Sequence, residues 1–136
     1  MAFDDSIKVS TSAMAAQSTR LRTIAENLAN ASSTALTPGG DPYRRKMVTF
    51  KDELDKASGA NLVHVNKIIQ DQTPFEMRYN PGHPAADAAG FVKYPNVSAV
   101  LEMNDLREAQ RSYDANVDMI DAAKTMLSRT IDLLKA

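Results

Sequence analysis

Apolar residues recur every seven positions at both ends of the chain. Ile7, Met14, Leu21 and Leu28 form one series; Leu106, Tyr113, Ile120, Leu127 and Leu134 form the other. Ile24 and Ala31 add a second seam position to the first series, and Met103, Val117 and Ile131 add one to the second. The seams leak. Ser10, Thr11 and Gln17 weaken the first, while Gln110 and Lys124 stand at intermediate positions of the second, beside Ala109 and Ala123. All six prolines and all five glycines lie between residues 38 and 95, so neither end carries a strong helix breaker.

This pattern predicts two helices, over residues 5–31 and 98–134, about 40 and 55 Å long at about 1.5 Å per residue. A strict period of seven favours a left-handed supercoil between packed helices. The expected fold is therefore mainly α: two long N- and C-terminal helices packing as a coiled coil, with a small irregular or β middle. Residues 1–31 and 97–136 would form one helical assembly domain, and residues 32–96 a small insert of loops and short strands. That insert offers too little apolar surface to cover both helices, so their ends are expected to order on assembly. Ala13, Ala16, Ala25, Ala29, Ala115 and Ala122 lie off the main seams. They allow close approach by a neighbour, although helix propensity alone also accounts for them.

In the middle, the turn-rich stretch from Thr37 to Pro42 ends the first helix. Short strands are expected over 46–50, 61–69 and 75–79, the last with the cleanest alternation. Residues 79–95 carry three prolines and two glycines and read as extended loop. Asn96 or Ser98 is placed to cap the last helix.

Composition narrows the function classes. The chain has 136 residues, a net charge of −1 with mixed signs throughout, and no tryptophan or cysteine. Nucleic-acid binding usually needs a concentrated basic face, which is not seen here. Without cysteine there is no disulfide or thiol chemistry. The N-terminus is acidic where a secretory signal would be basic, and no apolar run approaches membrane-spanning length. The expectation is a chain without a cleaved signal and without a membrane span, either cytoplasmic or exported by another route.

Candidate chemistry is thin. His83 and Asp87 are four apart, the spacing of metal ligands on a helix, but Pro81 and Pro84 oppose a helix there and no third ligand lies nearby. They read as loop residues bonding backbone. Pro38-Gly39-Gly40 follows a helix, whereas a phosphate loop follows a strand. No catalytic, cofactor-binding or metal residue is expected, and the chain does not read as an enzyme. Arg44-Arg45-Lys46 is the one dense basic run, either an anionic-partner surface or a solvated stretch.

Three stretches, and the helix after them, carry a resemblance. Residues 15–31, ending Asn27-Leu28-Ala29-Asn30-Ala31, are similar to the N-terminal motif of bacterial flagellar axial proteins. Pro42-Tyr43-Arg44-Arg45-Lys46 followed by Phe50 resembles the version in the FlgC family of basal-body rod proteins. The loop from Asn80 to Val97, with His83, Pro84, Asp87, Gly90, Pro95 and Asn96, resembles the one preceding the C-terminal helix in that family. Glu102-Met103 and the stretch Arg111 to Asn116, including Tyr113, match the helix itself. Ala85 and Asn80 depart from the acidic residues common there.

The resemblance implies a structural subunit of the proximal rod, exported unfolded through the flagellar type III apparatus without signal cleavage. It would then polymerise in the periplasm with other rod proteins and copies of itself. The rival readings are a free-standing helical adaptor and a small metal-dependent enzyme centred on the middle loop.

Overall fold

The structure, a computed structural model, describes residues 2–135. Its elements run α1 (Ala2–Ala29), β1 (Lys46–Leu54), β2 (Asn61–Gln70), β3 (Glu76–Tyr79), β4 (Phe91–Tyr94) and α2 (Ala99–Lys135). Two long terminal helices thus bracket a small β middle, as the seven-residue pattern requires. No helix among the described residues is long and apolar enough to cross a membrane.

Local chemistry sets the helix ends. Asp4 and Asp5 lie in the first turn of α1, where negative charge complements the free N–H groups, and Asp4 also pairs with Lys8 at 3.2 Å. At the far end the Asn30 N–H is shared between the carbonyls of Glu26 (3.1 Å) and Asn27 (3.2 Å), and the Ala31 N–H bonds back three residues to Leu28. This tightening closes α1 without a glycine. The Asn30 amide donates to the same Glu26 carbonyl at 2.9 Å, and its oxygen accepts from the Ser33 hydroxyl. At α2 the Ser98 carbonyl accepts the Glu102 N–H at 3.0 Å, which puts Ser98 at the cap position. Asn96 is engaged elsewhere.

β1 and β2 form one two-stranded sheet, β3 and β4 another. Residues 55–60 join the first pair: the Asp55 N–H bonds the Ala60 carbonyl (2.9 Å), and the Asp55 carboxylate accepts from Ala57 N–H and the Ser58 hydroxyl. In the second pair Glu76, Met77, Arg78 and Tyr79 oppose Tyr94, Lys93, Val92 and Phe91 in antiparallel register. Tyr79 and Phe91, directly opposite, meet edge to face with centroids 5.3 Å apart.

The sequence expectation of continuous loop over residues 79–95 is corrected by β4. Four residues are too few for a period-two signal to stand out between Pro81, Pro84 and Pro95. What secures β4 is its pairing with β3 and the complete burial of Val92. Gly90 makes the close approach possible, with φ of 86° and a position where a Cβ would lie 2.9 Å from the Tyr79 ring.

The described residues group into two compact units. The first holds the start of α1 through Leu21, Val48–Lys67 and α2 from Arg107 onward; the second holds Arg22–Met47 and Ile68–Leu106. In the first unit, the Ser12 hydroxyl accepts the Val63 N–H (3.2 Å) and donates to the Val9 carbonyl (2.8 Å), while Arg20 pairs with Glu108 at 3.6 Å. The buried positions of the helices are mostly small: Ser10, Ala16 and Thr23 on α1, Ala109 and Ala123 on α2. Gln110 and Lys124, which interrupt the expected seam, are exposed beside those alanines.

Candidate functional site: a buried polar cluster and the exposed helix end

The second unit is organised around Asn27, in the last turn of α1 and only 1% exposed. Its carboxamide uses all its hydrogen-bonding capacity. The nitrogen donates to the Lys46 carbonyl (2.8 Å) and to Glu102 Oε2 (3.1 Å); the oxygen accepts from the Tyr43 hydroxyl (2.8 Å) and the Lys46 N–H (2.9 Å). One side chain therefore ties together α1, the first residue of β1 and the first turn of α2.

Glu102 is fully buried, and its second oxygen accepts a charge-assisted bond from Arg45 Nε. The Arg45 guanidinium also faces Asp71 (3.5 Å) and Asp105 (3.6 Å). Burial acts to lower the Arg45 pKa, but hydrogen bonding and charge attraction from Glu102, then Asp71, outweigh it, so the net shift is upward. The Asp71 carboxyl is held below its usual range, first by the Thr73 N–H bonding it at 2.9 Å, then by the Thr73 hydroxyl and Arg45. Burial, followed by the nearby carboxylates of Glu26 and Glu102, pushes the Tyr43 phenol up to about 12.

Asn96 closes the cluster from the other side. Its oxygen accepts the Arg45 N–H (2.8 Å), and its nitrogen donates to the Asp71 carbonyl (3.0 Å) and to Thr73. The basic run is thus divided in its roles. Arg44 lies over the Phe75 ring at 4.2 Å and bonds the Asp71 carbonyl; Arg45 enters the cluster; Lys46 pairs with Glu26. An open cleft of about 570 Å³ beside them is walled by charges that already have partners, Lys46 with Glu26 and Asp41 with Lys93.

His83 and Asp87 lie in the β3–β4 connection. His83 Nδ1 accepts the Ala85 N–H (3.1 Å); Asp87 Oδ1 accepts those of Ala89 and Phe91 (both 2.9 Å). Ala85 itself is buried, and its carbonyl accepts the Gly39 N–H at 3.2 Å. Among the described residues no group of three or more potential ligands gathers as a metal site. Pro84 is exposed and Pro95 buried, and Asn116 bonds its own helix at the Ser112 carbonyl (2.7 Å).

The expected seam residues fall into three grades. Ile24 is buried; Ile7, Met14, Leu21, Leu28, Leu106, Tyr113, Val117 and Ile120 are half-buried. Leu127 and Ile131 are each 42% exposed and Leu134 is 83% exposed, and every described residue after Ala123 is exposed. Met119, Met126 and Leu133 form a further exposed row at seven-residue spacing.

Sequence reading gathered Asn27, Tyr43, Arg45 and Asn96 as motif residues without seeing that they meet. Glu102 and Asp71 are not among those candidate residues. Glu102 carries a sequence signal in the Glu102-Met103 match to the family's C-terminal helix. Asp71 had none: its place depends on where β2 ends.

Comparison with known proteins agrees with this arrangement of motifs. Residues 7–35 match the family model described as "Flagella basal body rod protein", and residues 88–133 match "Flagellar basal body rod FlgEFG protein C-terminal". The chain is 54% identical to the flagellar basal-body rod protein FlgC of Agrobacterium fabrum, over 95% of this chain and 93% of that one. It is 42% identical to the protein of the same name from Salmonella typhimurium, over 98% of each chain, and 38% identical to that of Bacillus subtilis, over 96% and 97%. With identities of this size running almost from end to end, the chain belongs to the FlgC family of flagellar basal-body rod proteins.

Proposed function

We propose that this chain is a structural, non-enzymatic subunit of the proximal rod of the flagellar basal body. It polymerises through its terminal helices with copies of itself and with other rod proteins. The observation that carries the reading is the uncovered end of α2: three turns past Ala123 without a buried residue, bearing Leu127, Ile131, Leu133 and Leu134. Apolar side chains repeated on an exposed helix are a surface for neighbours, because leaving them in water forfeits about 25 cal/mol per Å². The Met119, Met126 and Leu133 row adds a second line of approach on the same helix.

Torque transmission needs subunits that do not slide against one another. Long helices packed lengthwise as a coiled coil distribute the load over many apolar contacts, whereas exposed ion pairs contribute only about 0–1 kcal/mol each. Delivery through the flagellar type III export apparatus, without signal cleavage, to a periplasmic assembly site completes the reading. The test is Leu127→Asp in motile cells. The expected result is normal export with no completed rod; normal motility and intact basal bodies would overturn the proposal.

A further inference from the structure

Apart from Ile24, the buried apolar positions of the helices are alanines, poorly suited to fixing their own alignment among the described residues. Ala109 and Ala123 are spaced by two heptads on α2, and Ala16 is buried on α1. An alanine offers no bulky knob, and a seven-residue repeat looks nearly the same after a shift of one heptad. After such a shift of α2, Ala109 would occupy the place of Glu102. Asn27 would then lose one acceptor, and Arg45 would lose its buried carboxylate. Asn116, the polar residue two heptads on from Glu102, bonds its own helix and offers no substitute.

We propose that the Asn27–Glu102–Arg45 cluster is a register lock: it selects which turn of α2 stands beside the end of α1. The fully satisfied Asn27 carboxamide and the wholly buried Glu102 carboxylate are the groups expected of such a device. A buried ion pair contributes little net stability over an apolar pair of similar volume, yet it penalises every alignment in which one partner is left alone. The three groups come from α1, the strand entry at Arg45 and the first turn of α2, so only one alignment satisfies them together. Arg45, Glu102 and Asn27 act here as positioning residues. The proposal concerns the fold of the single chain and does not depend on the rod assignment.

The absence of cysteine allows a direct test by cross-linking the full-length chain with a short bis-maleimide. Arg20→Cys with Glu108→Cys reports the native alignment, since those side chains meet at 3.6 Å. Arg20→Cys with Ala115→Cys reports a shift of one heptad. On the wild-type background only the first pair should link. Arg45→Met with Glu102→Met is expected to keep its helical circular dichroism but lose that exclusivity, with both pairs giving product. Arg45→Lys, which keeps a cation opposite Glu102, is expected to retain the native product alone. Exclusive native linking in the double-methionine variant would overturn the proposal. So would loss of its helical signal, because the cluster would then be supplying stability, and so would mixed products from Arg45→Lys.

Discussion

Arg45 and Glu102 depend on each other unequally. Removing Glu102 leaves Arg45 facing Asp71 and Asp105, whereas removing Arg45 takes the paired cation from a carboxylate of zero exposure that keeps the Asn27 amide. Arg45→Ala is therefore expected to destabilise the chain by about 3–5 kcal/mol and Glu102→Ala by less, read from urea midpoints. Tyr43 gives a pH signature. Its phenol, raised from 10.0 to about 12, is protonated in the folded chain where the unfolded chain has begun to ionise. The stability this contributes is complete below pH 10 and is lost as the pH climbs toward about 12. Tyr43→Phe should flatten that alkaline decline while costing about 1 kcal/mol at neutral pH for the lost bond to Asn27. Thermal midpoints of both proteins from pH 8 to 12 would show it; parallel curves would refute the assignment.

At the scale of elements, α2 changes character along its length. Up to Ala123 it keeps a covered face, and beyond it has none. Amides of residues 124–135 should exchange with solvent orders of magnitude faster than those of residues 102–116 in the isolated protein, a contrast readable by hydrogen exchange. Equal protection along the helix would contradict it. The assembly-coupled ordering expected at both ends of the chain should then be most marked at this end of α2. Leu127→Asp should shift the stability of the isolated chain by no more than about 0.5 kcal/mol, because the side chain is already 42% exposed. Any assembly defect then belongs to the interface and not to folding. The helices and three of the strands were legible because each is long enough to show its period or is bounded by turn residues. β4 was not, since its four residues acquire strand geometry from β3. The polar cluster was half legible: Asn27, Tyr43, Arg45 and Asn96 stood out as motif residues, but their meeting depends on chain crossings that no local pattern encodes.

At the scale of the whole molecule, the loop of the middle segment between β3 and β4 is held by its own side chains. Within the β3–β4 connection the side chains of His83 and Asp87 accept the backbone N–H groups of Ala85, Ala89 and Phe91. His83→Ala with Asp87→Ala should lower stability modestly, at about 0.5–1.5 kcal/mol per lost bond, and should leave cells motile. Elemental analysis of the purified protein should find no stoichiometric metal that disappears in the double variant; finding one would overturn the structural reading of the loop. The bare end of α2 also has a consequence for supply. Proteases cleave chains that can be drawn out locally, and three uncovered turns open more easily than a helix held against a core. A subunit waiting outside the rod would then be clipped near residues 124–135, while an incorporated one would be shielded. Surplus copies would thus carry their own expiry, and the number of intact subunits would follow the number of seats available.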